Sequence, residues 1–138
     1  MTLSPAAVRT DDTVTATATT SDADGDDVTV SYVWKIDGVV VDGETSSTLD
    51  GSAHFDKGQT ITVVATPSDG SAEGDSATSD GVTVLNSAPK APSVDISPDE
   101  PESSDNLVCS VSTESTDADG DAVSYTITWT VDLSLIHI

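Results

Sequence analysis

The sequence predicts an all-β protein, an antiparallel β-sandwich with one complete module followed by a truncated second copy. Three observations lead to this prediction: apolar and polar residues alternate with a period of two, turn residues separate the alternating segments, and an acidic motif occurs twice. No window has a helical period. Six or seven short strands separated by turn signals are typical of an antiparallel sandwich.

The strands of the first module follow from this alternation. Residues 14–18 alternate Val and Ala with Thr, and residues 28–36 place Tyr32 and Trp34 on one face with aliphatic side chains. Asp37-Gly38 follows directly and favours a type I′ hairpin turn, because both central residues of that turn need positive φ. We expect Trp34 in the core. The remaining expected elements are strands at 39–41, 60–66 and 82–85, a Ser/Thr/Gly-rich stretch around Leu49 and Phe55, and a long loop from Pro67 to Gly81.

The repeat has a fixed offset. Asp22-Ala23-Asp24-Gly25-Asp26 returns 95 residues later as Asp117-Ala118-Asp119-Gly120-Asp121, and Trp34 returns as Trp129 at the same offset. Self-similarity at a fixed period marks an array of modules. The sequence therefore divides into a sandwich module at residues 1–86, a Pro-containing linker at 87–92, the truncated start of a second module at 93–132, and a tail at 133–138.

The second copy is short. We expect strands at 107–113 and 123–131, with an exposed apolar patch around Val111, Tyr125 and Trp129, because a segment of about 40 residues rarely buries a core of its own. The tail, Leu-Ser-Leu-Ile-His-Ile, is similar to a translated sequencing adapter, so we expect it to be an artefact at the end of a fragment.

Charge excludes some partners. Twenty-five acidic residues against four Lys and Arg give a net charge of −21. Such a surface repels nucleic acid and anionic membranes and attracts divalent cations, and it equally suits solubility in a salty medium. No run of about 18 apolar residues predicts membrane insertion.

The acidic motif also carries a resemblance. Residues 17–26, with Tyr32 downstream, resemble the calcium-binding Asp-x-Asp loop of cadherins, and Asn86-Ser87-Ala88-Pro89 resembles the end of the cadherin linker. The chain, over residues 3–132, is similar to the immunoglobulin-like tandem repeats of bacterial surface proteins, the cadherin-like and polycystic-kidney-disease-type modules. The Asp-Arg-Glu element of cadherins and the Asp-rich run before the linker Asn are absent from the sequence. The resemblance implies an immunoglobulin-like sandwich, an extracellular or cell-surface location, and calcium between successive modules.

Calcium has a physical basis as well. Ca²⁺ takes six to eight oxygen ligands, and alternate Asp residues on a Gly-containing loop can direct several carboxylates to one point. In a sandwich of the implied type, Asp69, with Glu73 or Asp75, comes close to Asp22 and Asp24, and the second acidic loop faces the linker. The alternative is a solvated Asp/Gly turn that binds no ion. The predicted calcium ligands are Asp22, Asp24, Asp26 and Asp69 in the first module, Asp117, Asp119 and Asp121 in the second, and Asn86 and Asp56 at the junction.

Other reactive residues point away from catalysis. His54 has no partner His or Cys and is interpreted as a loop residue, and the sequence has neither a recognisable Ser/His/Asp set nor a phosphate-binding Gly loop. Cys109 lies 95 residues after Val14. It is either an inter-sheet disulfide partner of a Cys beyond the fragment or a buried free thiol.

We therefore expect a non-catalytic repeat of a large secreted or surface-anchored bacterial protein, acting as a calcium-stiffened spacer or adhesion module. Its partners would be neighbouring repeats and a cell-surface protein or polysaccharide. The alternative is an accessory binding module of an exported hydrolase, which an exposed row of aromatic side chains would favour.

Overall fold

The computed structural model describes residues 1–132 with their side chains, and residues 134 and 135 by their backbone. The chain forms two compact units, Met1–Ala88 and Pro89–Ile138. The prediction about residues 133–138 as an adapter-derived tail lies outside the described residues, apart from the backbone of 134 and 135.

Unit 1 contains two antiparallel sheets. The first has three strands in the order β1 (Thr2–Ser4), β2 (Thr13–Thr17) and β5 (Thr48–Asp50). The second is built on β3 (Thr29–Ile36) and β6 (Thr60–Ser68), which pair over eight residues from Thr29↔Ser68 to Ile36↔Ile61. Strand β4 (Val39–Val40) extends the β3 edge, and β7 (Ala77–Thr78) and β8 (Val82–Thr83) both pair with β6.

The predicted hairpin is confirmed. Asp37 and Gly38 join β3 to β4 with φ values of +49° and +83°, the positive values that a type I′ turn requires. The turn is also fixed to the next strand, since the Thr60 amide donates to Asp37 Oδ1 at 2.8 Å and the Asp37 amide donates to the Thr60 carbonyl at 2.9 Å.

The inward residues of both sheets form one core. Trp34 is fully buried, as predicted, and its indole N–H donates to the Ser46 carbonyl at 2.9 Å. This bond gives the buried indole N–H, the polar group of the largest core side chain, a hydrogen-bond partner. The prediction of an all-β antiparallel sandwich is confirmed, whereas the immunoglobulin-like topology stays a prediction. The buried apolar residues of the core cluster are Val8, Val14, Ala16, Trp34, Ile36, Leu49, Phe55, Ile61, Val63 and Val84.

The two ends of unit 1 are joined by a parallel contact. Arg9 forms a parallel bridge with Leu85, and the Leu85 amide donates to the Val8 carbonyl at 2.7 Å. The segment that carries Val8 into the core is therefore hydrogen-bonded to the segment that leaves the unit.

Two short elements differ from the sequence prediction. A single helical turn, α1 (Gly51–His54), follows β5, and the Asp50 side chain caps it by accepting from the Ser52 amide at 3.1 Å. The predicted loop from Pro67 to Gly81 contains the end of β6 and all of β7. One helical turn and a two-residue strand are too short to produce a period in the sequence.

Unit 2 begins with a hairpin of β9 (Ser93–Ser97) and β10 (Val108–Thr113). Ile96 pairs with Cys109, as Leu3 pairs with Ala16 in unit 1, so the two hairpins have the same register at an offset of 93. Within β10 the register shifts between Val111 and Thr113, so one residue there is additional to the pairing. Cys109 therefore corresponds by pairing to Ala16, and the assignment to the position of Val14 was wrong.

The predicted strand at 123–131 forms only at its end. Residues 123–129 have no strand pairing in the described structure, and β11 (Thr130–Val131) pairs with β12 (Ser134–Leu135). These pairs lie 95 residues after the β3–β4 pairs Lys35↔Val40 and Ile36↔Val39, and Asp132 has φ +50° where Asp37 has +49°. The strand prediction failed because β3 depends on β6, for which the described part of unit 2 has no counterpart.

Exposed apolar side chains are abundant in unit 2. Among the described residues after Ser87, none is buried. Tyr125 is 43% exposed and Ile127 54% exposed, while Val111 and Trp129 are half-buried. Exposed apolar side chains therefore occur where the patch was expected, at Tyr125, Ile127 and Val131, whereas the exposure of Val111 and Trp129 is only partial.

Candidate metal centre at the repeated acidic loops

The first acidic loop is a compact turn closed by its own first side chain. Asp22 Oδ1 accepts from the amide of Asp24 at 2.8 Å and from the amide of Asp26 at 3.2 Å. Gly25 has φ +86°, a conformation that residues with a Cβ rarely adopt. The Asp and Gly of the motif are thus required by the turn itself.

The second acidic loop repeats this conformation. Asp117 Oδ1 accepts from the amide of Asp119 at 2.9 Å and from the amide of Asp121 at 3.2 Å, and Gly120 has φ +74°. The corresponding hydrogen bonds of the two loops agree within 0.1 Å. The sequence repeat is therefore a structural repeat.

Three carboxylates converge in the second loop. One oxygen each of Asp117, Asp119 and Asp121 lies within 4.8 Å of the others, and Asp117 and Asp119 are half-buried. Oxygens that bind one Ca²⁺ at 2.3–2.6 Å lie up to about 5 Å apart. Without a cation, each pair of carboxylates at such a distance repels by about 1 kcal/mol even in bulk water. This cluster can hold a metal ion.

The first loop forms a wider acidic site. Asp22, Asp69 and Glu73 line one cleft of about 170 Å³, next to Ser68 and Pro67. The sequence predicted that Asp69 and Glu73 approach Asp22. Asp24 and Asp26 are exposed and do not line this cleft, and Asp75 lines a neighbouring cavity with Thr19 and Thr20.

Asp69 is held as a carboxylate by its own turn. Its Oδ1 accepts from the amides of Ser71 and Ala72, both at 2.7 Å. The Ala72 hydrogen bond, followed by that of Ser71, lowers the pKa of Asp69 below its ordinary value. Hydrogen bonds to the charged form favour that form. The Asp69 side chain at the cleft therefore stays ionised to a lower pH than an ordinary aspartate does.

Asn86 already interacts with two cations. Its Oδ1 accepts from Lys57 Nζ at 3.4 Å, and its carbonyl oxygen accepts from the Arg9 guanidinium. Asp56 lies in the adjacent turn, where its amide donates to Gln59 Oε1 at 2.7 Å. Calcium at Asn86 would have to replace the hydrogen bonds from Lys57 and Arg9. An ion shared by Asn86, Asp56, Asp117 and Asp119 stays a prediction. The contacts of Arg9 and Lys57 with Asn86 were not predicted, because they join positions far apart in sequence.

A tyrosine anchors the start of the second loop. Tyr125 Oη accepts from the Ser115 amide at 2.8 Å, Ser115 Oγ donates to the Lys90 carbonyl, and the Lys90 amide donates to the Thr116 carbonyl at 2.8 Å. At the offset of 95, Tyr125 corresponds to Val30, so the first copy lacks this anchor. The signal in the sequence was the Tyr that replaces Val at this position of the repeat.

His54 and Cys109 belong to neither acidic loop. His54 ends α1, and its Nε2 lies 3.2 Å from Glu44 Oε1, an ion pair when the imidazole is protonated. Cys109 is an unpaired, half-buried thiol on β10.

Comparison with family models, curated proteins and solved structures found no match to this chain. None of the helices in the described part of the chain has the length and apolar character that crossing a membrane requires.

Proposed function

We propose that this chain is a pair of non-catalytic, immunoglobulin-like repeats from a secreted or cell-surface bacterial protein, and that calcium bound at its acidic loops stiffens it as a spacer or adhesion module. The observation that carries the proposal is the second acidic loop, where Asp117, Asp119 and Asp121 bring one oxygen each within 4.8 Å of the others. Its conformation recurs in the first loop, as a site used once per repeat would require.

The charge and the ligand chemistry support calcium. Carboxylate oxygens are hard ligands, which Ca²⁺ and Mg²⁺ prefer, and Ca²⁺ tolerates irregular geometry where Mg²⁺ demands an octahedron. In each loop the first Asp accepts the backbone amides with Oδ1, so those two bonds do not use its other carboxylate oxygen. One bound ion would relieve the repulsion among three carboxylates and fix the turn.

A spacer role is supported by the placement of the aromatic residues in unit 1. Trp34 and Phe55 are buried and Tyr32 is half-buried against the core. An accessory module that binds sugars would need aromatic faces open to solvent. Neighbouring repeats are the proposed partners, with a cell-surface protein or polysaccharide as the ligand of an adhesive assembly.

Titration calorimetry of the whole chain with Ca²⁺ tests the proposal. We expect binding with a Kd of roughly 10⁻⁴ to 10⁻³ M, as in other extracellular modules, and weaker binding of Mg²⁺. At ten times the Kd, calcium would add about 1.4 kcal/mol of stability per site. Asp119→Asn should weaken binding at the second loop about tenfold or more, because it removes one of the three converging carboxylates.

The matched control is Asp95→Asn, which makes the same charge change on β9 of the same unit. It should change the affinity less than about twofold, since it alters only long-range attraction that salt screens. Equal losses in the two variants, or heats identical in Ca²⁺ and in Na⁺ of matched ionic strength, would reduce the loops to solvated turns and overturn the proposal.

A further inference from the structure

Strand β4 forms an exposed apolar edge in the interior of unit 1. Val39 is 71% exposed and Val40 47% exposed, and no described strand pairs with β4 on the side away from β3. The chain is in place on both sides of this strand, since β4 lies between β3 and β5. An unpaired edge is a template for an added strand.

The hydrogen bonds between β3 and β4 direct the backbone groups of Val40 outward. The Val41 amide donates to the Trp34 carbonyl at 2.9 Å, one residue beyond the Lys35↔Val40 pair. In an antiparallel pair, hydrogen-bonded and non-hydrogen-bonded positions alternate. Trp34 and Val41 occupy a hydrogen-bonded position, so Val40 occupies a non-hydrogen-bonded one. The N–H and the C=O of Val40 therefore point away from β3, towards the open edge.

The sequence around Val40 fits a second copy of itself. Residues 37–43 read Asp-Gly-Val-Val-Val-Asp-Gly, which is three valines between two Asp-Gly turns. When two copies are placed antiparallel with Val40 opposite Val40, each Asp of one copy lies opposite a Gly of the other. Like charges directly opposite each other destabilise a sheet. This register avoids them, and a chain with a net charge of −21 needs that in any contact with its own kind.

We propose that β4 is a self-association edge, at which residues 39–41 of one copy pair antiparallel with the same residues of a second copy, about a two-fold axis at Val40. The Val40 N–H of each copy donates to the Val40 carbonyl oxygen of the other. Val39 lies opposite Val41 of the second copy, so the contact covers the strongly exposed Val39 side chain. The interface is isologous, and it joins the second sheets of two copies of unit 1 into one sheet.

The contact is small. It contains one pair of hydrogen bonds and residues 39–41 of each copy, whereas a standard interface has roughly 20–30 residues a side. We therefore expect a dissociation constant of about 1 mM for a single contact. The contact uses neither acidic loop, so it does not depend on the calcium proposed above. Only its reinforcement, by several contacts acting together in an array, rests on the proposed function.

Sedimentation equilibrium and amide hydrogen exchange of the whole chain in chelator, from micromolar to millimolar concentration, test the proposal. We expect a reversible dimer. Its dissociation constant should fall about threefold or more from low to moderate salt, because salt screens the repulsion between two acidic copies. Exchange of the Val40 amide should slow as the concentration rises, while that of Val41, already bonded to Trp34, should stay unchanged.

Two variants distinguish the edge of the sheet from its outer face. Val40→Lys places two like charges opposite each other at the two-fold axis and should weaken association about tenfold or more. Val33→Lys is the matched control, because Val33 is 41% exposed on the same face, one strand further from the edge. It should change the dissociation constant less than about threefold. Tryptophan emission equal to that of the parent chain shows that the core around Trp34 is intact in both variants.

The proposal is overturned if the chain stays monomeric at millimolar concentration in moderate salt, or if the Val40 and Val41 amides respond alike. It is also overturned if Val33→Lys weakens association as much as Val40→Lys, since the sheets would then pack by their faces. Association that appears only after calcium is added would likewise overturn it, because the acidic loops would then hold the copies together.

Discussion

Gly51 is the residue at which a single methyl group should cost unit 1 the most. A Cβ there would overlap the Thr10 carbonyl oxygen and lie 2.6 Å from Phe55 Cε2 and 2.7 Å from the Asp12 carbonyl oxygen. These neighbours are backbone atoms and a buried ring, which cannot move aside cheaply. We expect Gly51→Ala to lower the free energy of unfolding by about 3 kcal/mol or more, measured by urea denaturation.

Gly74→Ala is the matched control for this substitution. The nearest atom to a Cβ at Gly74 is Pro67 Cγ at 3.1 Å, and its φ is not positive. The free energy of unfolding of Gly74→Ala should stay within about 1 kcal/mol of that of the parent chain, because the reduced conformational freedom of the unfolded chain offsets the close contact with Pro67. Equal effects at the two glycines would contradict the packing described around Gly51.

Asp69 gives unit 1 a contribution to stability that depends on pH. Its lowered pKa means that the folded state prefers the carboxylate more than the unfolded chain does. The contribution is present above the ordinary aspartate pKa of about 3.9 and is lost as pH falls through the lowered value in the folded state.

This dependence is measurable by following the Ser71 and Ala72 amide chemical shifts by NMR between neutral and acidic pH. We expect a common midpoint below the ordinary aspartate pKa, and Asp69→Asn should abolish the titration. A midpoint at or above the ordinary value would contradict the two amide hydrogen bonds.

At the scale of elements, the β3–β4 turn depends on the positive φ of Asp37 and Gly38 and on one long-range contact, between Asp37 and Thr60. Asp37→Ala removes the side-chain oxygen that accepts the Thr60 amide. It also places alanine, which tolerates positive φ poorly, at φ +49°. We expect a loss of about 1–3 kcal/mol in thermal or urea unfolding. Asp37→Asn keeps an acceptor oxygen and tolerates positive φ, so it should recover most of the loss. If Asn were as damaging as Ala, charge rather than the hydrogen bond would fix the turn.

The elements that the sequence predicted correctly are those determined locally. Asp37-Gly38 specifies its turn through φ alone, and the alternation around Trp34 specifies which face is buried. The strand at 123–131 has the same alternation, yet it pairs only at Thr130–Val131. A strand needs a partner, and alternation in one segment does not show whether the partner is present.

The candidate site divides in the same way. The two Asp/Gly turns follow from their residues, because an Asx turn needs only the Asp side chain and its next four residues. The approach of Asp69 and Glu73 to Asp22 required a fold to be assumed first. The hydrogen bonds of Arg9 and Lys57 to Asn86 had no local signal in the sequence, since they depend on where three distant segments meet.

At the scale of the whole molecule, the two units should differ sharply in stability. Unit 1 has ten buried apolar residues in one cluster, whereas no described residue after Ser87 is buried. Native-state hydrogen exchange should therefore find the amides of β3 and β6 slow, and those of β9 and β10 at least about a hundredfold faster, because protection follows burial and contact density. Similar protection in the β3–β6 pair and the β9–β10 pair would mean that the second unit has a core of its own.

The parallel bridge between Arg9 and Leu85 has a mechanical consequence. Tension applied through the two ends of unit 1 pulls Val8–Arg9 towards the amino end and Leu85–Asn86 towards the carboxyl end. Because these segments run in the same direction, the load slides one along the other and reaches their hydrogen bonds together rather than opening them one by one. The guanidinium of Arg9, bonded to the Asn86 carbonyl beyond the last amide pair, lengthens the joint that must rupture before the core can be exposed.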